Sequence, residues 1–139
     1  MNKFSLILLT FFLLSNIAVA GTLDEGMTAY QAGDYIKAYQ TLLPLAKKNN
    51  ADAQYYIGGM FADGLGVPQN SGKAVRWLDK AVKNNHKEAA VFLGKMYLSG
   101  RGVPLDPQKG AYYISLSDAK EAEAQQAEET ESNADEECD

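Results

Sequence analysis

The chain has 139 residues, 46% of them hydrophobic and 22% charged, with a formal net charge of −5, a size that suits one domain with a modest core. Its single histidine and single cysteine exclude a two-His metal site, a Cys/His metal cage and an internal disulfide. Charge is placed unevenly: positions 21–117 hold 11 Lys/Arg against 8 Asp/Glu, and positions 118–139 hold ten acids and one lysine, so the body is too weakly basic to grip nucleic acid.

Lys3, the 11-residue apolar run Phe4–Leu14 and the small-residue triplet Ala18-Val19-Ala20 open the chain. That order predicts a signal peptide over 1–20, cleaved after Ala20, and a periplasmic or secreted product starting at Gly21. The competing anchor would offer only about 17 residues, the lower limit of a spanning helix, and contains Asn16. No stable membrane insertion is therefore expected after cleavage. The residue directly after the cleavage site is Gly21, so no cysteine stands there to carry a lipid.

Thr22-Leu23-Asp24-Glu25 has the S/T-x-x-E form of a capping box and should start the first helix. Gly33-Asp34 makes a short turn, and Asp34 caps a helix from Tyr35 to about Lys48, in which Pro44 removes one backbone bond and should introduce a kink. Asp52–Asp63 places Ala53, Tyr56, Ile57, Met60 and Phe61 at i, i+3, i+4 spacing, the mark of an amphipathic helix. Gly64 stops that helix in the left-handed conformation. Gly66-Val67-Pro68 turns the chain, with Val67 placed to plug the space between helices. The next helix, about Gly72–Lys83, turns Ala74, Trp77, Leu78, Ala81 and Val82 inward, and Asn84-Asn85 closes it. His86 falls in the following loop as an exposed polar residue.

Glu88–Ser99, Gly100 and Gly102-Val103-Pro104 repeat the plan, and Asp106 with Pro107 starts the last helix. Trp77, Tyr112 and Tyr113 fit helix-packing positions. Beyond Ser117 the composition changes. Positions 118–139 read as an acidic Ala/Glu-rich extension of the last helix, over Ala119–Glu129, followed by a disordered tail.

Laid over itself at an offset of 36, Ala51–His86 matches Lys87–Ala122 at eight positions: Ala53/Ala89, Gly58/Gly94, Met60/Met96, Gly64/Gly100, Gly66/Gly102, Val67/Val103, Pro68/Pro104 and Lys73/Lys109. Lys37-Ala38, Lys73-Ala74 and Lys109-Gly110 keep the second helices in the same register. Such a period marks stacked supersecondary units. The predicted fold is all-α, an α/α solenoid of three helix-turn-helix repeats over 21–117. Small residues at Ala53, Gly58, Ala74, Ala89 and Gly94 let helices approach closely, and a bulky side chain there would overpack the interface at ~1–3 kcal/mol. A stack of this kind presents a surface rather than a reaction centre.

The run Ile57-Gly58-Gly59-Met60-Phe61, then Gly64-Leu65-Gly66-Val67-Pro68, then Lys73-Ala74 and Trp77, resembles the Sel-one-like repeat, a 36-residue relative of the tetratricopeptide repeat. It recurs as Leu93-Gly94-Lys95-Met96-Tyr97 with Gly100-Arg101-Gly102-Val103-Pro104. Ala29-Tyr30, Gly33-Asp34-Tyr35 and Lys37-Ala38 are similar to the tetratricopeptide form. The likeness covers about Leu23–Leu116. Asn85 departs from a usual Gly and Gly110 from a usual Ala, and Gly110 should weaken its helix by ~1 kcal/mol. With no first-type helix after the third unit, the Ala/Glu extension is expected to cap it. The resemblance implies a right-handed superhelix and a protein–protein adaptor role, often in the bacterial envelope. A cysteine-rich branch of the family resembles penicillin-binding or β-lactamase-like proteins. Its paired cysteines are missing here, so that activity does not carry over.

The resemblance also implies that the first helix of each pair lines a concave face. Transferred to this chain, that face holds Leu23, Met27, Tyr30 and Gln31; Asp52, Tyr55, Gly59 and Asp63; and Glu88, Val91, Lys95 and Ser99. This apolar strip with a few charges suits an extended peptide or a partner helix. The expectation is an exported, non-enzymatic module that binds a protein or peptide, anchored by Tyr30, Tyr55 and Val91, without catalytic residues, cofactor or metal. An inhibitor or immunity protein for a secreted toxin is one alternative; a cell-wall or β-lactam hydrolase is another. The acidic tail reads as a solvated segment, with attraction to the basic body or to a basic partner as the second reading. Cys138 reads as an incidental thiol, with a disulfide-linked dimer as its alternative.

Overall fold

The computed structural model describes residues 21–119. The expected signal peptide, 1–20, and residues 120–139 of the acidic tail lie outside the described residues. Within that span the chain is all-α: α1 Leu23–Gln31, α2 Tyr35–Lys47, α3 Ala51–Asp63, α4 Ser71–Lys83, α5 Lys87–Ser99 and α6 over 107–119. Consecutive helices pack on one another. The result is a helical repeat solenoid of three pairs.

Side-chain caps set where the helices begin, because each satisfies an amide that the helix itself leaves unpaired. Thr22 Oγ1 accepts the Glu25 N–H at 3.2 Å. The Glu25 carboxylate does not reach back to complete the capping box but pairs with Lys37 at 3.4 Å. Asp34, Asn50, Asn70 and Asp106 accept the amides of Lys37, Ala53, Lys73 and Lys109 at 3.1, 2.8, 2.9 and 2.9 Å. The Asn50 and Asn70 caps start α3 and α4 one residue before the expected Asp52 and Gly72. His86 does the same for α5: its Nδ1 accepts the Ala89 N–H at 3.2 Å. The expectation of an exposed loop histidine is thereby corrected, since only 10% of its side chain is exposed.

Left-handed residues set where the helices stop. Gly64 (φ 71°) and Gly100 (φ 68°) end α3 and α5, while Asn49 (φ 65°) and Asn85 (φ 68°) follow α2 and α4. The turn glycines do a further job. A Cβ on Gly66 would lie 2.7 Å from the carbonyl carbon of Tyr35, and one on Gly102 would overlap Ser71 Oγ. Tyr35 and Ser71 are themselves 36 positions apart, so each turn rests on the start of the preceding unit's second helix.

The core forms two clusters. Leu42, Ile57 and Met60, with several alanines, join the first two units, and Leu78, Leu93, Met96 and Tyr113 join the second and third. Val67 packs against the first cluster, as does half-buried Trp77. Tyr112 departs from its expected packing role: it is 58% exposed and meets Tyr113 only by its ring edge. Gln54 is fully buried; its Nε2 donates to the Ala46 carbonyl at 3.0 Å and its Oε1 accepts from Asn84 at 2.8 Å. That amide closes the end of α2 and ties it to the end of α4, and its burial is tolerated because both ends are paired. Tyr113 donates its hydroxyl to Asp79 at 3.2 Å, joining α6 to α4. Burial, reinforced by the Asp79 carboxylate, pushes that hydroxyl up to about 12.

Helix approach is closest at the glycines. A Cβ at Gly58 would stand 2.7 Å from Leu78 Cγ, and one at Gly94 would stand 2.6 Å from Ile114 Cγ1. Gly110 faces Gly94 across the last interface, where a Cβ would lie 3.0 Å from the Gly94 carbonyl oxygen and 2.6 Å from Leu98 Cγ. The missing methyl at 110 therefore serves packing, against its cost in helix propensity.

Gly58 and Gly59 are neighbours with opposite surroundings, since a Cβ at Gly59 meets nothing within 4 Å. Gly58→Ala must displace fully buried Leu78 and is expected to lose up to about 2 kcal/mol net, the overpacking cost outweighing the ~1 kcal/mol gained in helix propensity. Gly59→Ala is expected to gain up to about 1 kcal/mol. Chemical denaturation should move their midpoints to opposite sides of the parent. For Tyr113, folding holds the proton more tightly than a free tyrosine does, whose hydroxyl titrates near 10.0. Its contribution is therefore full below about pH 10 and lost as pH rises toward 12. Tyr113→Phe should flatten that part of the stability–pH profile, measured by denaturation at stepped pH.

Candidate functional site

Turning Ala53, Ile57 and Met60 of α3 and Ala89, Leu93 and Met96 of α5 into the core leaves the opposite strips of these helices toward solvent. Between the strips lies a cleft of about 370 Å³, lined by Tyr55, Glu88, Val91, Phe92, Lys95, Met96, Ser99 and Arg101. Its size is that of a pocket for a small ligand or a few side chains. Five of the residues expected on the concave face, Tyr55, Glu88, Val91, Lys95 and Ser99, come together here.

The other expected residues fall at its edges or away from it. Asp63 is engaged by the Arg101 guanidinium, a link from the end of α3 to the turn after α5. Asp52 meets His86 Nε2 at 3.3 Å. On α1, Met27 and Tyr30 are half-buried and Gln31 is exposed, and none of the three lines the cleft. Tyr30 is connected to it by rings instead. Centroids run from Tyr30 to Tyr56 at 5.0 Å, from Tyr56 to Tyr55 at 5.5 Å, and from Tyr55 to Phe92 at 6.3 Å. This edge-to-face file crosses all three units and gives the face a stiff apolar spine.

His86 fixes the cleft's central aromatic. Its imidazole stacks on Tyr55 at 4.5 Å with 17° between planes. Because Nδ1 accepts the Ala89 amide, the proton of the neutral ring belongs on Nε2, which then donates to Asp52. Glu88 Oε2 stands 3.2 Å from Nδ1, which places the acidic end of the cleft beside the ring but without a hydrogen bond, because Nδ1 is already an acceptor. Burial raises the hydroxyl pKa of both Tyr30 and Tyr55 above the ordinary tyrosine value. The Ser99 hydroxyl bonds the Lys95 carbonyl at 2.7 Å, so it is committed to its own helix. The cleft thus offers apolar contact with flanking charge.

Phe92, Met96, Arg101 and His86 complete the site without having been expected in it. Phe92 and Met96 sit where the core stripe of α5 meets the exposed strip, so a 3.6-residue period assigns them to the core. Arg101 occupies the place of Leu65 in the repeat, and nothing in the sequence directs its side chain toward Asp63. His86 is concealed by cap statistics, which favour Ser, Thr, Asp and Asn. Among the described residues no group of three or more His, Cys, Asp or Glu is placed to hold a metal ion. No helix among them is long and apolar enough to cross a membrane.

The Sel1 repeat family model matches residues 51–86 and 87–117, which are the α3–α4 and α5–α6 units. The crystal structure of a Sel1 repeat protein from Oxalobacter formigenes is similar with a TM-score of 0.66 and 26% identity, over 71% of this chain and 41% of that one. That of c5321, a protective antigen present in uropathogenic Escherichia coli strains displaying an SLR fold, is similar with a TM-score of 0.65 and 28% identity, over 70% and 22%. The chain thus spans less than half the length of either structure. A search of curated proteins gives no match. The chain therefore carries two Sel1 repeats in a helical repeat solenoid like those of its structural neighbours, and such repeats typically serve as protein–protein interaction modules.

Proposed function

We propose that this chain is an exported, non-enzymatic binding module that takes a protein or peptide partner on the face formed by α1, α3 and α5. The cleft between α3 and α5 carries the reading. Its floor is Tyr55, Val91 and Phe92, all half-buried. Glu88 lies in the first turn of α5, and Lys95 and Arg101 lie toward and beyond its other end. An apolar floor between opposite charges favours a partner segment whose apolar side chain is flanked by a cation and an anion. The stacked and hydrogen-bonded His86 holds Tyr55 in place before binding, which lowers the entropy lost on association. Export is supported by the leader-like order from Lys3 to Ala20.

The test is affinity purification of the full chain from cell-envelope extract, read by mass spectrometry beside two variants. One is Tyr30→Ala/Tyr55→Ala/Val91→Ala, which removes the anchors. The other is Lys95→Glu, which reverses an exposed charge and leaves the core intact. The specific partner should weaken at least tenfold with the triple variant, as for central contacts worth more than about 1 kcal/mol each, and measurably with Lys95→Glu. Circular dichroism should remain helical in both. An unchanged set of captured proteins with both variants places the binding surface elsewhere. N-terminal sequencing of the exported product is expected to start at Gly21.

A further inference from the structure

A second recess, of about 360 Å³, opens between α2 and α4, and its chemistry differs from that of the cleft. Lys47 of α2 and Lys73, Arg76 and Lys80 of α4 surround Phe61 and Trp77, and no acidic residue lines it. Among the described residues none of these four cations has a carboxylate within ion-pair distance; the carboxylates that do pair meet Lys37, Lys83, His86 and Arg101. Two of the four are held by rings, Lys73 at 5.1 Å over Phe61 and Lys80 at 4.6 Å over Trp77, so the charge is fixed in the recess rather than dispersed in solvent. Lys73, Arg76 and Lys80 follow one another at i+3 and i+4, spacings at which like charges repel. An uncompensated basic recess of this kind is a seat for an acidic chain.

We propose that the occupant is this chain's own acidic C-terminal segment, 118–139, docked across the recess between α2 and α4. The segment's ten acids and one lysine complement the four cations. Its point of departure is close by: α6 packs on α4 through the Tyr113–Asp79 bond, and its described part runs to 119. Neighbouring helix axes lie about 8–10 Å apart, whereas twenty extended residues reach roughly 65 Å, so reach is no obstacle. Covalent attachment supplies an effective concentration in the mM range, which makes screened charge attraction sufficient. The inference is independent of the partner reading, because it concerns the second-helix side of the stack.

The chain provides its own probes, one tryptophan and one cysteine: Trp77 in the recess and Cys138 near the end of the acidic segment. Energy transfer from Trp77 to a naphthalene acceptor on Cys138 is to be measured in the full chain. In low salt it should stand well above that of the guanidinium-unfolded chain. It should fall toward that value near 1 M NaCl, where the screening length is about 3 Å, and stay constant on dilution. Arg76→Glu/Lys80→Glu, and separately Lys47→Glu, should lower it while circular dichroism stays helical; Lys95→Glu should leave it unchanged. Transfer no higher than in the unfolded chain, or insensitive to both sets of charge reversals, overturns the proposal. So does transfer that vanishes on dilution, which assigns the recess to a second copy. A blue shift of Trp77 on adding phosphatidylglycerol vesicles, with no transfer in their absence, overturns it in favour of a lipid surface.

Discussion

The two helices of each later unit approach so closely that only hydrogen fits at positions 58 and 94, and the rest of the architecture follows from that spacing. A side chain at Gly58 would compete with Leu78 and one at Gly94 with Ile114. Where helices meet this tightly, their angle and offset are no longer free, since interiors at native packing density tolerate little change in volume. The turns then have one way to close, through left-handed Gly64 and Gly100, and the loop behind each is brought down onto the previous unit at Tyr35 or Ser71. Spacing within a pair and stacking between pairs are therefore parts of one constraint, repeated every 36 residues.

That regular frame carries irregular devices at its joints. Gln54 bridges the ends of α2 and α4, whereas the residue one period later is Ala90, so this tie is made once. His86 caps α5 while Asn50 and Asn70 cap the helices before it. An asparagine satisfies an amide and does little more. The imidazole satisfies the amide, stacks on Tyr55 and meets Asp52, so a structural cap also shapes the cleft between α3 and α5. The two sides of the stack differ in consequence. Between the first helices lies an aromatic cleft with mixed charge; between the second helices lies a recess of rings and cations that no carboxylate among the described residues pairs.

Much of this was legible in the residues. The period, the turn glycines and the i, i+3, i+4 spacing each depend on contacts within about 36 residues, and such local rules write themselves directly into sequence. For that reason the three helix pairs, the small-residue interfaces and five of the cleft's residues could be placed from sequence and family likeness. The misses share one cause. His86, Tyr112, Arg101 and Gln54 owe their surroundings to residues from other helices, and a pattern along one helix does not say what stands across from it. Helix starts moved by a residue because an asparagine or histidine side chain competed successfully for an orphan amide.

What the sequence alone determined is the kind of object: helices in pairs, one layer per repeat, with small residues where backbones meet. Periodicity and steric allowance suffice for that, because they act on neighbours in the chain. Only the tertiary structure decided which side chains meet. The aromatic file from Tyr30 to Phe92, the Arg101–Asp63 pair and the basic recess that brings Lys47 to Phe61 and Trp77 exist because stacking brings distant residues to contact distance, and dispersion, stacking and ion-pair forces act only at that range.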